Sequence, residues 1–246
     1  MQKPVSAMPP QEPENKCLGC LFMKLETIPS QTQKPSQSTT TTPINLHLTI
    51  QFNEQREQLL EGRVKFGLKG GKLSVKLKNG KISLSSSHLS GSCKLAIQQE
   101  QQQEASENQS DREASMGKGK LEEKTNPSPK KTTERPDNVQ FTTCQTRIKG
   151  SEEIPVWVFG VEPSEPVLKG LLKNALLATI NVKAKPCYVE AIFHVLPQDV
   201  CLTEAEGLWP QNISKKRRLI IERAIVRHFF KRKLMPYLSR QQLRYD

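Results

Sequence analysis

Apolar and polar residues alternate with a period of two from Val64 to Leu84. Val64, Phe66 and Leu68 alternate with Lys65, Gly67 and Lys69, and Gly70-Gly71 follows. Leu73, Val75 and Leu77 then alternate with Lys72, Ser74, Lys76 and Lys78; after Asn79-Gly80, Ile82 and Leu84 complete the set. Successive side chains of a strand point to opposite faces, so the pattern predicts half-buried strands. Gly-Gly and Asn-Gly accept the positive φ angles of type I′ turns, which predicts two tight hairpins. Those turns would set Leu68 opposite Leu73, Phe66 opposite Val75, Leu77 opposite Ile82 and Val75 opposite Leu84. Every apolar side chain then falls on one face, as a specified register requires. The expectation is a three-stranded β-meander, with Ile44 to Phe52 and Cys93 to Ile97 as flanking strands.

A second apolar block spans 138–246. Ile154 to Val161 holds Val156, Trp157, Val158 and Phe159 and reads as a strand buried on both faces. In 164–182, Leu168, Leu171, Leu172, Ala175, Leu176 and Ile180 fall at helical spacing, behind Ser164 as a possible N-cap. A repeat favours strands instead. Phe66-Gly67-Leu68, Leu77-Lys78-Asn79 and Cys93-Lys94-Leu95 recur in order as Phe159-Gly160-Val161, Leu172-Lys173-Asn174 and Cys187-Tyr188-Val189. On that reading the meander is duplicated, and Val167 to Lys173 with Leu176 to Val182 form the second copy's hairpin. A helix from about Ser214 to Leu234 closes the chain. Ile221, Ile225 and Phe229 form its apolar stripe, widened by Leu219, Val226 and Phe230, and Pro236 stops it. Phe229 and Phe230 are adjacent, so both cannot occupy the centre of one face.

Two stretches lack the apolar surface to offset their ordering entropy and are expected to be disordered. These are 1–42, with its prolines and the Ser/Thr run Ser36 to Thr42, and 98–137, with Gln98 to Gln103 and Asn126-Pro127-Ser128-Pro129. The resulting organisation is a first β block at 43–97 and a second at 138–246, joined by a polar insert and able to form one domain. The fold class expected is mainly β: an antiparallel β-sandwich or two related β-meanders, plus one amphipathic, basic C-terminal helix.

Composition agrees with partial disorder: hydrophobic residues are 35% of the 246, and mean hydropathy is −0.58. No apolar run approaches the ~20 residues that span a bilayer, and Met1 to Lys16 lacks the apolar core of a secretory signal. Six irregularly spaced cysteines fit reduced thiols, so the expected location is the cytoplasm.

Charge carries the functional reading. The chain is +12 overall, and +9 of that lies in 211–246. Lys215, Lys216, Arg217 and Arg218 open the predicted helix, Arg223 and Arg227 continue it, and Lys231, Arg232 and Lys233 close it. Cations in the first turn oppose the helix dipole, which calls for an acidic group there; Asp199, Glu204 and Glu206 are the internal candidates. The polar face of the meander is a second basic surface: Lys65, Lys69, Lys72, Lys76, Lys78 and Lys81 would lie cross-strand from one another. Both surfaces suit an acidic partner. A protein is the first expectation and nucleic acid, held by its phosphates without sequence preference, the alternative. Aromatic residues for base stacking are missing from the first block, and no DNA- or RNA-binding signature occurs.

Catalytic chemistry has little support. Cys17-Leu18-Gly19-Cys20 has no second ligand pair for zinc and no thioredoxin-like βαβ setting for redox work. Cys93, Cys144, Cys187 and Cys201 resemble buried core residues. The four histidines are scattered, and a split site near His194 and Asp199 is the one enzymatic alternative. Neither cofactor nor metal is expected, and the oligomeric state is not specified. The sequence reads as a non-catalytic binding module.

Overall fold

A computed structural model describes residues 12–30, 42–59, 62–97, 140–208 and 212–246. Fourteen strands are formed among the described residues: β1 (Glu14–Asn15), β2 (Leu21–Pro29), β3 (Thr42–Phe52), β4 (Gln55–Leu59), β5 (Gly62–Leu68), β6 (Gly70–Lys78) and β7 (Gly80–Ser87). There follow β8 (Gly91–Ile97), β9 (Gln140–Gly150), β10 (Pro155–Val161), β11 (Gly170–Val182), β12 (Cys187–His194), β13 (Val200–Glu206) and β14 (Ser239–Tyr245). Between the last two strands lies the C-terminal helix: α1 (Lys215–Ile225), a π-helical turn (Val226–Phe230) and α2 (Lys231–Leu234). The chain is therefore mostly antiparallel β with one C-terminal helix, as its patterning predicts. Among the described residues no helix is long and apolar enough to cross a membrane.

The strands from Val64 to Leu84 form, but they do not pair with one another. β5 lies between β13 and β4 in a three-stranded sheet, while β6 and β7 belong to an eleven-stranded sheet. That sheet runs β1-β14-β12-β6-β10-β9-β8-β11-β3-β2, with β7 also on β11. The expected hairpins fail because the glycines serve another purpose. Neither Gly70 nor Gly71 has a positive φ, and at the second corner only Asn79 does, at 65°. A type I′ turn needs it at both central positions. A Cβ on Gly71 would stand 2.3 Å from Cε1 of Phe193, and one on Gly70 would stand 2.6 Å from the Phe159 carbonyl oxygen. The glycines let β6 press against its neighbours as the chain turns a corner between sheets.

Other expectations shift in the same way. The 1–42 segment contributes β1 and β2, whose Leu21, Met23 and Leu25 are buried. Its remaining parts, 1–11 and 31–41, and the predicted insert at 98–137, lie outside the described residues. β10 buries Trp157 and Phe159 on one face only, with Val156 and Val158 half-buried on the other. The 164–182 region is neither helix nor hairpin. It supplies one long strand, β11, whose pairing with β3 is irregular around Asn174, at φ 48°. The meander is thus not duplicated: the matching triplets fall on strands with different partners. Strands of the two predicted blocks alternate in the large sheet, β6 between β12 and β10, and β8 between β9 and β11.

The inward faces enclose one apolar core. Phe52, Phe159 and Phe193 meet with ring centroids 5.9–6.0 Å apart. Phe230 of the helix stacks on Phe66 of β5 at 4.3 Å. The two ends of the large sheet are joined by side-chain amides rather than by a strand ladder. Gln241 on β14 accepts from the Leu25 N–H at 2.6 Å and donates to the Leu25 carbonyl at 3.1 Å. Asn15 on β1 does the same for Met23, at 3.0 and 3.3 Å, and Ser239 donates to Asn15 Oδ1 at 2.7 Å. The edge groups of β2 are thereby satisfied where water cannot reach them.

Cys93 and Cys144, expected as reduced thiols, face each other across β8 and β9 and are joined by a disulfide. Such bonds persist in oxidising compartments, which runs against the cytoplasmic reading of the cysteines.

Three tests address these links. Gln241→Leu is expected to lower unfolding free energy by about 2–5 kcal/mol in urea titrations, because it strands two buried backbone groups. Cys17, Cys20, Cys187 and Cys201 are free, so thiol titration of the denatured protein is expected to count four without reductant and all six cysteines with it. The Cys93→Ser/Cys144→Ser double variant should lose up to about 4 kcal/mol, the chain-entropy value for its sequence separation of 51.

Candidate polyanion-binding surface

Residues directly opposite in a sheet share a face, so the register defines the outer surface of β9, β10, β6, β12 and β14 row by row. One row reads Arg147, Val158, Lys72, His194. The next reads Lys149, Val156, Ser74, Ile192, Arg240, Glu14. Lys76, Glu190 and Gln242 form the third row, and Lys78, Tyr188 and Arg244 the fourth. Leu73, Val75, Val189, Ala191 and Phe193 point the other way, into the core. Core packing of the alternate positions thus gathers lysines and arginines from three of these strands, β9, β6 and β14, opposed by Glu14 and Glu190.

The predicted sheet lysines are divided by this arrangement. Lys72, Lys76 and Lys78 are exposed and stand together, but their cross-strand neighbours are His194, Glu190 and Tyr188 rather than other lysines. Lys65 is in the other sheet, 3.0 Å from Glu204 and 3.4 Å from Glu54. The Glu204 hydrogen bond holds its ammonium above the usual lysine range. Lys69 sits at the corner between β5 and β6, and Lys81 is half-buried opposite Asn181 on β11. Pairing β6 between β12 and β10 removes the like-charge contacts that a lysine-on-lysine meander would have carried.

Arg147, Lys149, Arg240, Arg244 and Tyr188 join the surface without having been singled out in the sequence. Their burial alternates with period two, Arg147 and Lys149 with buried Thr146 and half-buried Ile148, and Arg240, Gln242 and Arg244 with Ser239, Gln241 and Leu243. Thr146, Ser239 and Gln241 are polar, however, and hid that period in the sequence. Tyr188 is 39% exposed. Lys78 Nζ lies 6.0 Å and Arg244 Cζ 5.9 Å from its ring centroid. A depression of about 240 Å³ opens beside it, lined by Lys76, Lys78, Glu190 and Gln242 among others. Arg240 grips Glu190 Oε1 at 2.6 and 2.9 Å, and Gln242 donates to the same oxygen at 3.0 Å. The Gln242 hydrogen bond, then Arg240 and the charge of Lys76, hold this carboxyl below the usual glutamate range against the opposing effect of burial.

The helix carries the second basic surface. Ser214 caps it, accepting from the Arg217 N–H at 3.4 Å. Lys215, Lys216, Arg217, Arg218, Arg223, Arg227, Lys231, Arg232 and Lys233 are exposed. Its first turn contains no acidic residue, and two of the upstream carboxylates, Asp199 and Glu204, are used elsewhere. Asp199 accepts from the Leu196 N–H at 2.8 Å, Glu204 holds Lys65, and Asp199, Glu204 and Glu206 border or belong to β13 rather than a loop entering the helix. Glu222 bonds Arg218 one turn on, at 2.8 Å, and Lys233 reaches Glu57 of β4 at 2.5 Å. The π turn adds one residue between the buried positions Ile225 and Phe230. Phe230, not Phe229, therefore enters the core.

His194 and Asp199 each bond another group. His194 Nδ1 is engaged 3.0 Å from the Pro236 carbonyl oxygen, and Asp199 serves as the local cap just described. The adjacent cavity of about 130 Å³ is lined by Val195, Pro197, Val226, Arg227, Lys231, Leu234 and Met235, without either side chain. Cys17 and Cys20 are both buried; Cys17 Sγ donates to Gln55 Oε1 at 2.8 Å, and the Cys20 thiol is pushed up by its hydrogen bond to Cys17 and by burial.

The chain matches no family model, and no curated protein aligns with it significantly.

The Glu190 carboxyl provides a check on the surface geometry. NMR titration is expected to find its pKa below the ordinary value of about 4.3, and Arg240→Met should move it upward. A depressed folded pKa contributes stability above the unfolded value and loses it as pH falls through the folded one, so Arg240→Met should also flatten the acid limb of the stability profile.

Proposed function

We propose that the protein is a non-catalytic binding module that engages an acidic partner through the outer face of β9, β10, β6, β12 and β14 and through the C-terminal helix. The observation that carries this reading is the contact between His194 and Pro236. It sets the Lys72 end of the sheet surface beside the end of the helix that bears Lys231, Arg232 and Lys233. Two surfaces of one sign that adjoin sum their fields, which raises the local concentration of an anionic ligand and its rate of arrival. The pairing of Lys65 with two carboxylates removes it from that face, so we assign the contact to Lys72, Lys76, Lys78, Arg147, Lys149, Arg244 and the helix cations.

One observation favours nucleic acid as the partner in a second reading: the exposed ring of Tyr188 between Lys78 and Arg244. An exposed ring between two cations offers a base a stacking platform beside phosphate contacts.

Fluorescence anisotropy with labelled heparin, poly-glutamate and a single-stranded oligonucleotide, between about 0.05 and 0.5 M salt, separates these readings. Affinity for at least one of them is expected to fall steeply with salt. Lys72→Glu/Lys76→Glu/Lys78→Glu should weaken it at least about tenfold. Tyr188→Ala is expected to reduce oligonucleotide binding by about 5-fold or more and heparin binding little, if nucleic acid is the target. Absence of salt-sensitive binding, or indifference to the triple reversal, would remove the proposal.

A further inference from the structure

The helix has a second apolar stripe, about 100° round from the line it buries. Ile221, Ile225, Phe230 and Leu234 follow one line along it, half-buried at Ile221 and buried beyond. The preceding residues, Ile220, Ala224 and Phe229, follow a parallel line, because the π turn inserts its extra residue into both. Val226 widens the buried side in the direction away from that second line, which leaves Ile220, Ala224 and Phe229 facing outward. Ile220 is 66% exposed, Leu219 beside it 51% and Phe229 44%. The neighbours of Ile220 one turn before and after are Lys216, Arg217, Arg223 and Ala224. The outer stripe therefore alternates hydrocarbon with cations and carries no neutral hydrogen-bonding side chain between Lys215 and Ile221.

Phosphate groups alone would satisfy the cations and leave Leu219, Ile220 and Phe229 in water. A bilayer of anionic lipid offers both requirements at the needed spacing, with charge at the headgroups and hydrocarbon immediately below. Lysine and arginine stems can extend along the boundary while their heads stay with the phosphates. The exposed cations of the adjoining sheet face, Lys72, Lys76 and Lys78, extend the charged area beyond the helix.

Resting on the acidic-partner reading, we propose that the partner is the surface of an anionic phospholipid membrane, on which the helix lies with Ile220 and Phe229 inserted into the headgroup–acyl boundary. Co-sedimentation with vesicles of phosphatidylcholine containing phosphatidylglycerol, against phosphatidylcholine alone, tests this, with heparin binding measured in parallel. The full chain is expected to pellet with the anionic vesicles and not with the neutral ones. Ile220→Ser/Phe229→Ser should weaken vesicle binding at least about tenfold while leaving heparin affinity and thermal unfolding unchanged, since both side chains lie outside the core. Heparin or oligonucleotide binding without vesicle binding would overturn this inference and leave the acidic-partner reading standing. So would vesicle binding that is indifferent to the double substitution or equal on neutral lipid. Failure to bind vesicles, heparin, poly-glutamate and oligonucleotide alike would overturn both.

Discussion

The large sheet depends on how its two ends are reconciled. An exposed strand edge is a row of unmet hydrogen-bonding groups and a template for aggregation. Here the N–H and C=O of Leu25 and Met23 on β2 are met by the side-chain amides of Gln241 and Asn15. A primary amide can present an N–H and a carbonyl oxygen side by side to one peptide group, so two such side chains replace a stretch of ladder. The consequence reaches the outer surface. Fixing Gln241 inward fixes the register of β14, and that register turns Arg240, Gln242 and Arg244 outward against Glu190 and Tyr188 on β12. Much of the basic face thus follows from a buried, uncharged contact on the other side of the same strand.

Alternation was legible in the sequence and partner choice was not. Val64 to Ile82 forms strands with the predicted residues turned inward, because period two reports burial on one face whichever strand lies alongside. Leu84, predicted on the same face, is instead 52% exposed on β7. Gly70-Gly71 and Asn79-Gly80 misled because the same dipeptides serve tight hairpins and close backbone approach. Only the position of Phe193, more than a hundred residues away, decides that Gly71 is needed for space. The lysine surface inherits that ambiguity. Lys72, Lys76 and Lys78 stay together because they share a strand, whereas Lys65 leaves with β5 for a sheet in which Glu204 awaits it. Leu21, Met23 and Leu25 carried the same period-two signal, which their charged and proline-rich surroundings hid. Ser239 and Gln241, by contrast, are polar residues whose burial no alternation could announce.

The helix shows the opposite balance. Its extent and its stop near Pro236 follow from local chemistry and were legible. Which phenylalanine enters the core was not, since that depends on an extra residue in one turn. A π turn persists where tertiary packing rewards the shift, and here the reward is the Phe66–Phe230 stack at 4.3 Å. A regular α-helix continuing the line of Ile221 and Ile225 would have brought Phe229 to the core and left Phe230 outside.

The same shift gives the outer surface its character. If the stack on Phe66 sets the turn, then the core fixes which residues of the outer line come into alignment, and Phe229 joins Ile220 as a result. Hydrocarbon at those positions lowers solubility, and cations at Lys215 to Arg218 oppose the helix dipole. Neither feature helps an isolated helix, and neither is required by the buried side, whose needs are met by Ile225, Val226, Phe230 and Leu234. Two unfavourable local choices on one face become compatible when that face meets a surface both anionic and apolar. A bilayer interface supplies the counter-charge to the first turn and the hydrocarbon to the stripe in a single contact, so the features that destabilise the helix alone become the ones that stabilise it when docked.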